Sequence, residues 1–298
     1  YELMLFDTDK LNIVWKHAFP LKSDDVGESL LYFVTKDNQN FIFHAKGAYL
    51  YLLSVKDGSL LWEKILEDKS DKYLVHNNKI IFYSKEKSLI NILNIIDQNV
   101  IASYNKINGG VDSLFILDNN IIVQSDRRIT SLQTKSRFLK GMLNWQSTFS
   151  DDIITVKTIL NNVFVLIRSG GLYCVNGKSG KINTESLVND YSNVDFYHDD
   201  TKNSLVVFDG FFLMGLDPNN GKSLWKIREF LHKNKNHNHS FKIELSGNRL
   251  IVLKPAEEKS QLIIKTYNRN NGELLWFSDE NLWTDYNREV LKKGLIFT

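Results

Sequence analysis

Residues 229–242 read EFLHKNKNHNHSFK and hold His232, His237 and His239, three of the seven histidines in the chain. Clustered imidazoles can ligate a transition metal when neutral or hold an anion when protonated. Lysines at 233, 235 and 242 lie among them and repel a cation, and Glu229 is the one carboxylate within the stretch. The composition fits a long solvated insertion, so the three histidines stand only as an interaction-loop candidate. Asn238-His239-Ser240 is also an N-glycosylation acceptor sequence, which has meaning only in a secretory pathway.

Other residues with chemical potential are sparser. Asp24-Asp25, Asp151-Asp152 and Asp199-Asp200 are paired acids. General acid–base work needs two carboxylates turned to one pocket, and neighbours on a strand point to opposite faces. They fit solvated turns. Gly109-Gly110 and Gly170-Gly171 open no nucleotide-binding motif and sit beside apolar runs, as turns do. Cys174 lies in the apolar run GLYCV with no basic neighbour to favour its thiolate, so it reads as core. One cysteine excludes an intramolecular disulfide and a multi-cysteine zinc site. No catalytic, cofactor-binding or metal-binding residue is expected.

The elements that would have to carry any site are set by composition and repetition. Hydrophobic residues make up 43% of the 298, enough for a full core. The 37 basic and 35 acidic residues leave a net charge of +2, which does not fit the broad phosphate-binding surface of a nucleic-acid partner. Arg127-Arg128 and Lys292-Lys293 are too short to make one. No apolar run reaches the roughly 18 residues of a membrane helix. No Gly/Ser-rich linker interrupts the chain, so residues 1–298 are expected to form a single domain. The sequence begins at Tyr1 rather than Met, and it tells nothing of a leader or lipid anchor.

Tryptophans lie at Trp15, Trp62, Trp145, Trp225 and Trp276, with spacings of 47, 83, 80 and 51 residues, and a sixth lies at Trp283. These are one, two, two and one periods of about 42 residues with loop insertions, and the chain holds about seven such periods. Two degenerate copies fill the long gaps. One is SLINILNIIDQNVIASY (88–104), with Ala102 near the tryptophan position. The other is GLYCVNGKSGKINTES (171–186), which keeps Gly180 and has Thr184 four residues later.

Each copy contains short runs rich in Ile, Val, Phe and Tyr, bounded by Asn, Asp, Gly and Lys, and these predict strands. The unit is four strands, with a glycine-bearing turn between the third and the fourth. Gly58, Gly221 and Gly272 follow Asp57, Asn220 and Asn271 as hairpin dipeptides, where positive φ favours a residue without Cβ. Four-stranded units of this length define an all-β, seven-bladed β-propeller of antiparallel blades. The N-terminal LMLFD and NIVWKHAF supply only third and fourth strands, and EVLKKGLIFT (289–298) supplies a first and second. The two ends are therefore expected to complete one blade. The tryptophans are expected to anchor outer strands, with Trp62, Trp225 and Trp276 behaving alike.

GLDPNNGKSLW (215–225) resembles the repeat of the quinoprotein dehydrogenase-like, or PQQ-like, superfamily through Asp217, Gly221 and Trp225. TYNRNNGELLW repeats the pattern with Asn268, Gly272 and Trp276, and LLSVKDGSLLW with Ser54, Gly58 and Trp62. LFDTDKLNIVW has Leu11 in place of the glycine, and KGMLNW keeps Gly141 and Trp145 behind a longer connection. The Gly-His and Trp-Asp signatures of WD-repeat propellers do not recur. Resemblance to the quinone-dependent enzymes would imply eight blades, a longer chain, a calcium site and often a vicinal disulfide, which one cysteine cannot form. The non-catalytic members include the lipoprotein scaffold of bacterial outer-membrane protein assembly and luminal sensor and scaffold domains of the endoplasmic reticulum. The resemblance thus implies a non-enzymatic platform that binds another protein, as a monomer or a subunit of a hetero-complex, in an extracytoplasmic compartment. The alternative is a ligand-binding or quinone-dependent redox propeller. It would need convergent polar side chains on the innermost strands, and the runs LLYFV, YLV, SLFIL, ITVKTIL and FKIEL are largely apolar.

Overall fold

Apolar runs broken by Asn, Asp and Gly give 26 strands among the described residues, and the one helical element there is a 3₁₀ turn at Tyr191–Asn193. The computed structural model describes residues 2–20, 29–67, 70–84, 86–105, 110–134, 143–199, 203–229, 242–255 and 262–278. The strands pair as seven antiparallel sheets. Sheet 1 has two, β1 (Glu2–Asp7) and β2 (Asn12–Ala18). Sheet 2 has β3 (Ser29–Lys36), β4 (Gln39–Lys46), β5 (Tyr49–Ser54) and β6 (Leu60–Ile65). Sheet 3 has β7 (Ser70–His76), β8 (Lys79–Ser84), β9 (Leu89–Asn94) and β10 (Val100–Asn105). Sheet 4 has β11 (Ser113–Leu117), β12 (Asn120–Ser125), β13 (Arg128–Gln133) and β14 (Leu143–Thr148).

Sheet 5 has β15 (Ile153–Ile159), β16 (Asn162–Ile167), β17 (Gly171–Asn176) and β18 (Ile182–Leu187). Sheet 6 has β19 (Asp195–Asp199), β20 (Ser204–Phe208), β21 (Phe212–Leu216) and β22 (Ser223–Arg228). Sheet 7 has β23 (Lys242–Ser246), β24 (Arg249–Pro255), β25 (Leu262–Asn268) and β26 (Leu274–Phe277). Every four-stranded sheet is a meander in sequence order. The segment 289–298, expected to complete sheet 1, lies outside the described residues. Although no linker is visible in the sequence, the chain divides into two compact units, Tyr1–Thr148 with sheets 1 to 4 and Phe149–Thr298 with sheets 5 to 7.

Within each unit, successive sheets pack face to face. One core joins Phe43, Leu50 and Leu52 of sheet 2 to Ile80, Phe82 and Leu93 of sheet 3, and another joins Ile81, Ile90 and Ile92 to Ile121 and Val123 of sheet 4. In the second unit, Phe164, Leu166 and Cys174 meet Leu205, Val207 and Met214, and Val206, Phe208 and Trp225 meet Leu250, Val252 and Tyr267. Second strands lie between two neighbouring sheets, so β16 is buried along its whole length. That explains apolar runs with no alternation. First strands sit side by side, β7 with β11 and β19 with β23. Fourth strands form the far edge, where β14 and β22 bury only the tryptophan.

Two turn chemistries repeat. Between first and second strands, Asp37-Asn38 (φ 50 and 60) and Asn77-Asn78 (φ 48 and 58) carry the two positive φ values of a type I′ hairpin. The third-to-fourth turn is longer than the two-residue hairpin expected from Asp57-Gly58. Gly58 N donates to Ser54 O at 2.9 Å and Ser54 N to Ser59 O at 2.9 Å, and Asp217 and Asn268 begin the same pattern before Gly221 and Gly272. Asp217 also accepts Asn219 N on its side chain at 2.9 Å, and Asn268 accepts Asn270 N at 2.9 Å. This Asx turn explains the acid or amide four residues before the glycine. A register shift follows in each sheet, as between Leu52 and Leu53 or Gly215 and Leu216. The bulge takes up the odd residue of the loop.

Where it is described, the residue four beyond the tryptophan position reaches the third strand of the next sheet. Phe19 meets Tyr51 at 4.6 Å between ring centroids, Phe149 meets Tyr173 at 5.1 Å, and Val188 shares a cluster with Met214. In sheet 6 that residue is Glu229, 2% exposed. It accepts Lys265 Nζ at 3.0 and 2.9 Å and Tyr267 Oη at 2.5 Å. Burial and the hydrogen bond to the carboxylate push the Tyr267 phenol upward, so it remains the donor. Removing one partner of a buried pair strands the other charge. Glu229→Ala should therefore cost about 3–5 kcal/mol, while Glu229→Leu with Lys265→Met should cost far less. Urea titrations of both variants would decide it, and equal losses would mean the joint does not depend on an uncompensated charge.

His44, 3% exposed, lies beside Phe19 and Tyr51 with its Nε2 2.9 Å from Ser29 Oγ. Burial first, and Lys46 second, lower its pKa from 6.5 to about 4. The neutral ring is the folded form, so its contribution is complete above about pH 6.5 and is lost as pH falls toward 4. The loss should approach 1.4 kcal/mol per pH unit in that window. His44→Gln should flatten the window in a pH series of melting curves, and an unaltered slope would refute the assignment.

Candidate functional site

The repeat residues form a lock between neighbouring sheets. Trp15 of β2 donates Nε1 to Val55 O in the sheet 2 turn at 2.7 Å, and a Cβ on Gly58 (φ +70) would lie 2.6 Å from its ring. Trp225 of β22 donates to Arg269 O at 2.8 Å, and a Cβ on Gly272 (φ +73) would lie 2.9 Å from its indole. On its other side, a Cβ at Gly215 would come within 2.2 Å. The ring is thus held between two glycines, one from its own sheet and one from the next. Both tryptophans are 8% exposed.

The degenerate copies alter this lock in interpretable ways. Thr184 pairs with Cys174 in the register where Trp225 pairs with Gly215. Its Oγ1 donates to Asn220 O at 2.6 Å. Cys174 occupies the space over Gly221, where an added Cβ would sit 2.3 Å from the cysteine Cβ. Asn162 Nδ2 donates to Pro218 O and Asn219 O at 2.8 Å each. Pro218 precedes its glycine by three residues, as Val55 and Arg269 do, so an asparagine replaces the missing indole N–H. Burial pushes the Cys174 thiol up to about 11, which keeps it an inert packing group.

Trp62 has Gln98 (φ +59) where the partner sheet should offer glycine. Its buried Nε1 has no acceptor among the described residues, and the ring is only partly buried against Phe43. Trp276 corrects the expectation of equal anchors, because it is 50% exposed in a strand that buries none of its residues. Trp145 is 7% exposed, and Gly180 (φ +71) closes its turn with N donating to Asn176 O at 2.8 Å. Gly141, His232, His237 and His239 lie outside the described residues.

The paired acids separate. Asp152 meets Arg168 at 3.6 Å on the surface, and Asp24-Asp25 lie outside the described residues. Asp199 is not a solvated turn residue: its Oδ2 accepts Arg269 Nη1 at 2.6 Å, and that arginine side chain is 1% exposed. The link joins sheets 6 and 7 beside the Trp225 lock. The reading of apolar innermost strands also missed β19, DFYHD, which carries Asp195, Tyr197, His198 and Asp199. Its two acids and a histidine, set around Phe196-Tyr197, were the available signal. Burial and Asp195 push Tyr197 up to about 12. No group of three or more His, Cys, Asp or Glu side chains suited to a metal occurs among the described residues.

Four-stranded antiparallel meanders repeated along an all-β chain are the blades of a β-propeller fold. Among solved structures, the chain is similar to BamB from Moraxella catarrhalis at 15% identity and a TM-score of 0.50, covering 89% of this chain and 77% of that one. It also matches the computationally designed Ika8 protein at 12% identity and a TM-score of 0.46, over 87% and 90% of the two chains. No protein-family model and no curated protein matches the sequence.

The locks should be unequal in strength. Trp225→Ala should cost about 3–5 kcal/mol and Trp276→Ala under about 1. Gln98→Gly should stabilise by about 1 kcal/mol, because it relieves positive φ and frees the turn for Trp62. Chemical denaturation of the three variants gives the comparison. A destabilised Gln98→Gly protein would show that its Cβ is not what keeps Trp62 from its acceptor.

Proposed function

We propose that the chain is a non-enzymatic platform that binds another protein in an extracytoplasmic compartment, as a monomer or a subunit of a hetero-complex. The observation that carries this reading is the use to which polar and glycine residues are put. Asp199, Arg269, Asn162 and Asp217 hold sheets and turns together, which leaves a rigid set of sheets with loops at both ends. Rigid sheets with variable loops are well suited to presenting a binding surface. The non-catalytic members of the family that the repeat resembles serve as scaffolds, and the likeness to BamB is consistent with that branch. A nearly balanced charge weighs against nucleic acid, and no helix among the described residues is long and apolar enough to cross a membrane.

The rival is a quinone-dependent redox propeller. Purified chain incubated with pyrroloquinoline quinone and calcium should show no gain in melting temperature and no reduction of a redox dye with alcohols or sugars. Quinone-dependent turnover would overturn the platform reading.

A further inference from the structure

We propose that β26, through Trp276 and Phe277, is a docking edge for an extended apolar segment of another protein. The proposal rests on the platform reading and locates one partner site on it. Its basis is a comparison of the fourth strands. Trp15, Trp145 and Trp225 are 8%, 7% and 8% exposed, whereas Trp276 is 50% exposed. The residue after the tryptophan position is polar in the six other sheets: Lys16, Glu63, Ser103, Gln146, Glu185 and Lys226. In sheet 7 it is Phe277, opposite Lys265 and 60% exposed. With Leu274 and Leu275 at 47% and 51%, all four residues of the strand are large, apolar and in water.

An edge strand offers unpaired main-chain groups, and proteins commonly blunt such edges with charged or polar side chains. The six other fourth strands carry that protection and β26 does not. Nor is β26 a frayed end. Before it, Gly272 N donates to Asn268 O at 2.8 Å and Asn268 N to Glu273 O at 2.7 Å. Beyond it, Ser278, 1% exposed, donates N to Ile264 O at 2.8 Å and accepts Ile264 N on Oγ at 2.9 Å. The strand is pinned at both ends while its side chains stay in water, so binding there has little backbone left to order. Trp276 lacks the burial that Trp15 and Trp225 have, and tryptophan is among the side chains that most often dominate interfaces.

Size and chemistry select the occupant. Four side chains of roughly 150–250 Å², each about half exposed, offer on the order of 400 Å² together. A stable dimer needs roughly 800 Å² from each partner, so the edge fits one strand of a partner rather than a second copy. Among the described residues β26 pairs with β25 alone, which leaves its far edge open to a further strand. A segment added there takes main-chain hydrogen bonds from β26 and sets alternate side chains beside Trp276 and Phe277. A strand without a single charge selects an apolar segment over an acidic or basic one.

The test is selection of a phage-displayed library of random peptides on the purified chain, with affinities of the enriched peptides measured by fluorescence anisotropy. Expected are peptides with apolar or aromatic residues at alternate positions. Trp276→Ala and Phe277→Lys should each weaken them at least about tenfold. Phe277→Lys follows the precedent of Lys16 and Lys226, so the fold should tolerate it, and melting curves check both variants. Leu224→Ser should leave binding unchanged, although Leu224 on β22 is 62% exposed. Hydrogen–deuterium exchange over residues 274–278 should slow when an enriched peptide is bound. Peptides that bind either variant as tightly as the parent chain place the site elsewhere and sink this proposal while leaving the platform reading intact. No enrichment, unchanged exchange at β26, or equal loss with Leu224→Ser sinks it too. A dimer in sedimentation that Phe277→Lys dissolves assigns the edge to a second copy and overturns the peptide assignment. Only the quinone-turnover outcome reaches the platform reading itself.

Discussion

An indole lying on a turn that lacks a Cβ is the contact on which the rest of this structure depends. It fixes three things at once. The turn must place positive φ under the ring, the preceding carbonyl must face the indole N–H, and the next sheet must approach to within van der Waals distance. Trp15 over Gly58 and Trp225 over Gly272 meet all three conditions. Because the contact joins one sheet to its successor, the spacing between sheets is set locally, by a few residues in each copy. This is how repeat proteins are built, with each unit stabilised by its neighbours.

The variant joints show what the contact requires. Sheet 5 has no tryptophan, yet the carbonyl that an indole would satisfy is satisfied by Asn162, and the space over the glycine is filled by Cys174. The N–H donor and the apolar plate have been divided between two side chains. Glu229 and Lys265 likewise take the place that Phe19 and Tyr51 fill elsewhere. Geometry is kept where chemistry changes, because an unfilled gap or an unpaired buried donor would cost more than the substitution.

The fold was legible in the sequence because its determinants are local and recur. Tryptophan spacing, glycine position and strand-length apolar runs each report one unit, and seven units repeat the message. Counting puts Ala102 near the tryptophan position and Thr184 four residues after Gly180, and the strand registers align both with the tryptophans of other copies. What could not be read depends on partners from other copies. Nothing near Asp199 in sequence announces Arg269, seventy residues away. Gln98 (φ +59) occupies the turn position that glycine holds in the copies next to Trp15 and Trp225, which its own sequence does not announce. Trp276 is half exposed although its motif matches that of Trp225. The turn type was misread for a related reason, since Asn-Gly fits both a two-residue hairpin and the end of a longer Asx turn.

The division of labour among polar residues bears most directly on function. In an enzyme, buried acids and bases are turned toward a cavity where their altered pKa values do work. Here Asp209, Glu229 and Arg269 are buried polar groups that face partners on neighbouring segments. Asp209 accepts three backbone N–H groups and the Asn189 side-chain amide from two segments, and Arg269 and Lys265 each meet an acid from the adjoining sheet. Such groups stiffen the sheets and the loops between them. Stiffness has a use at the surface, since a loop already fixed in place binds without first having to be ordered.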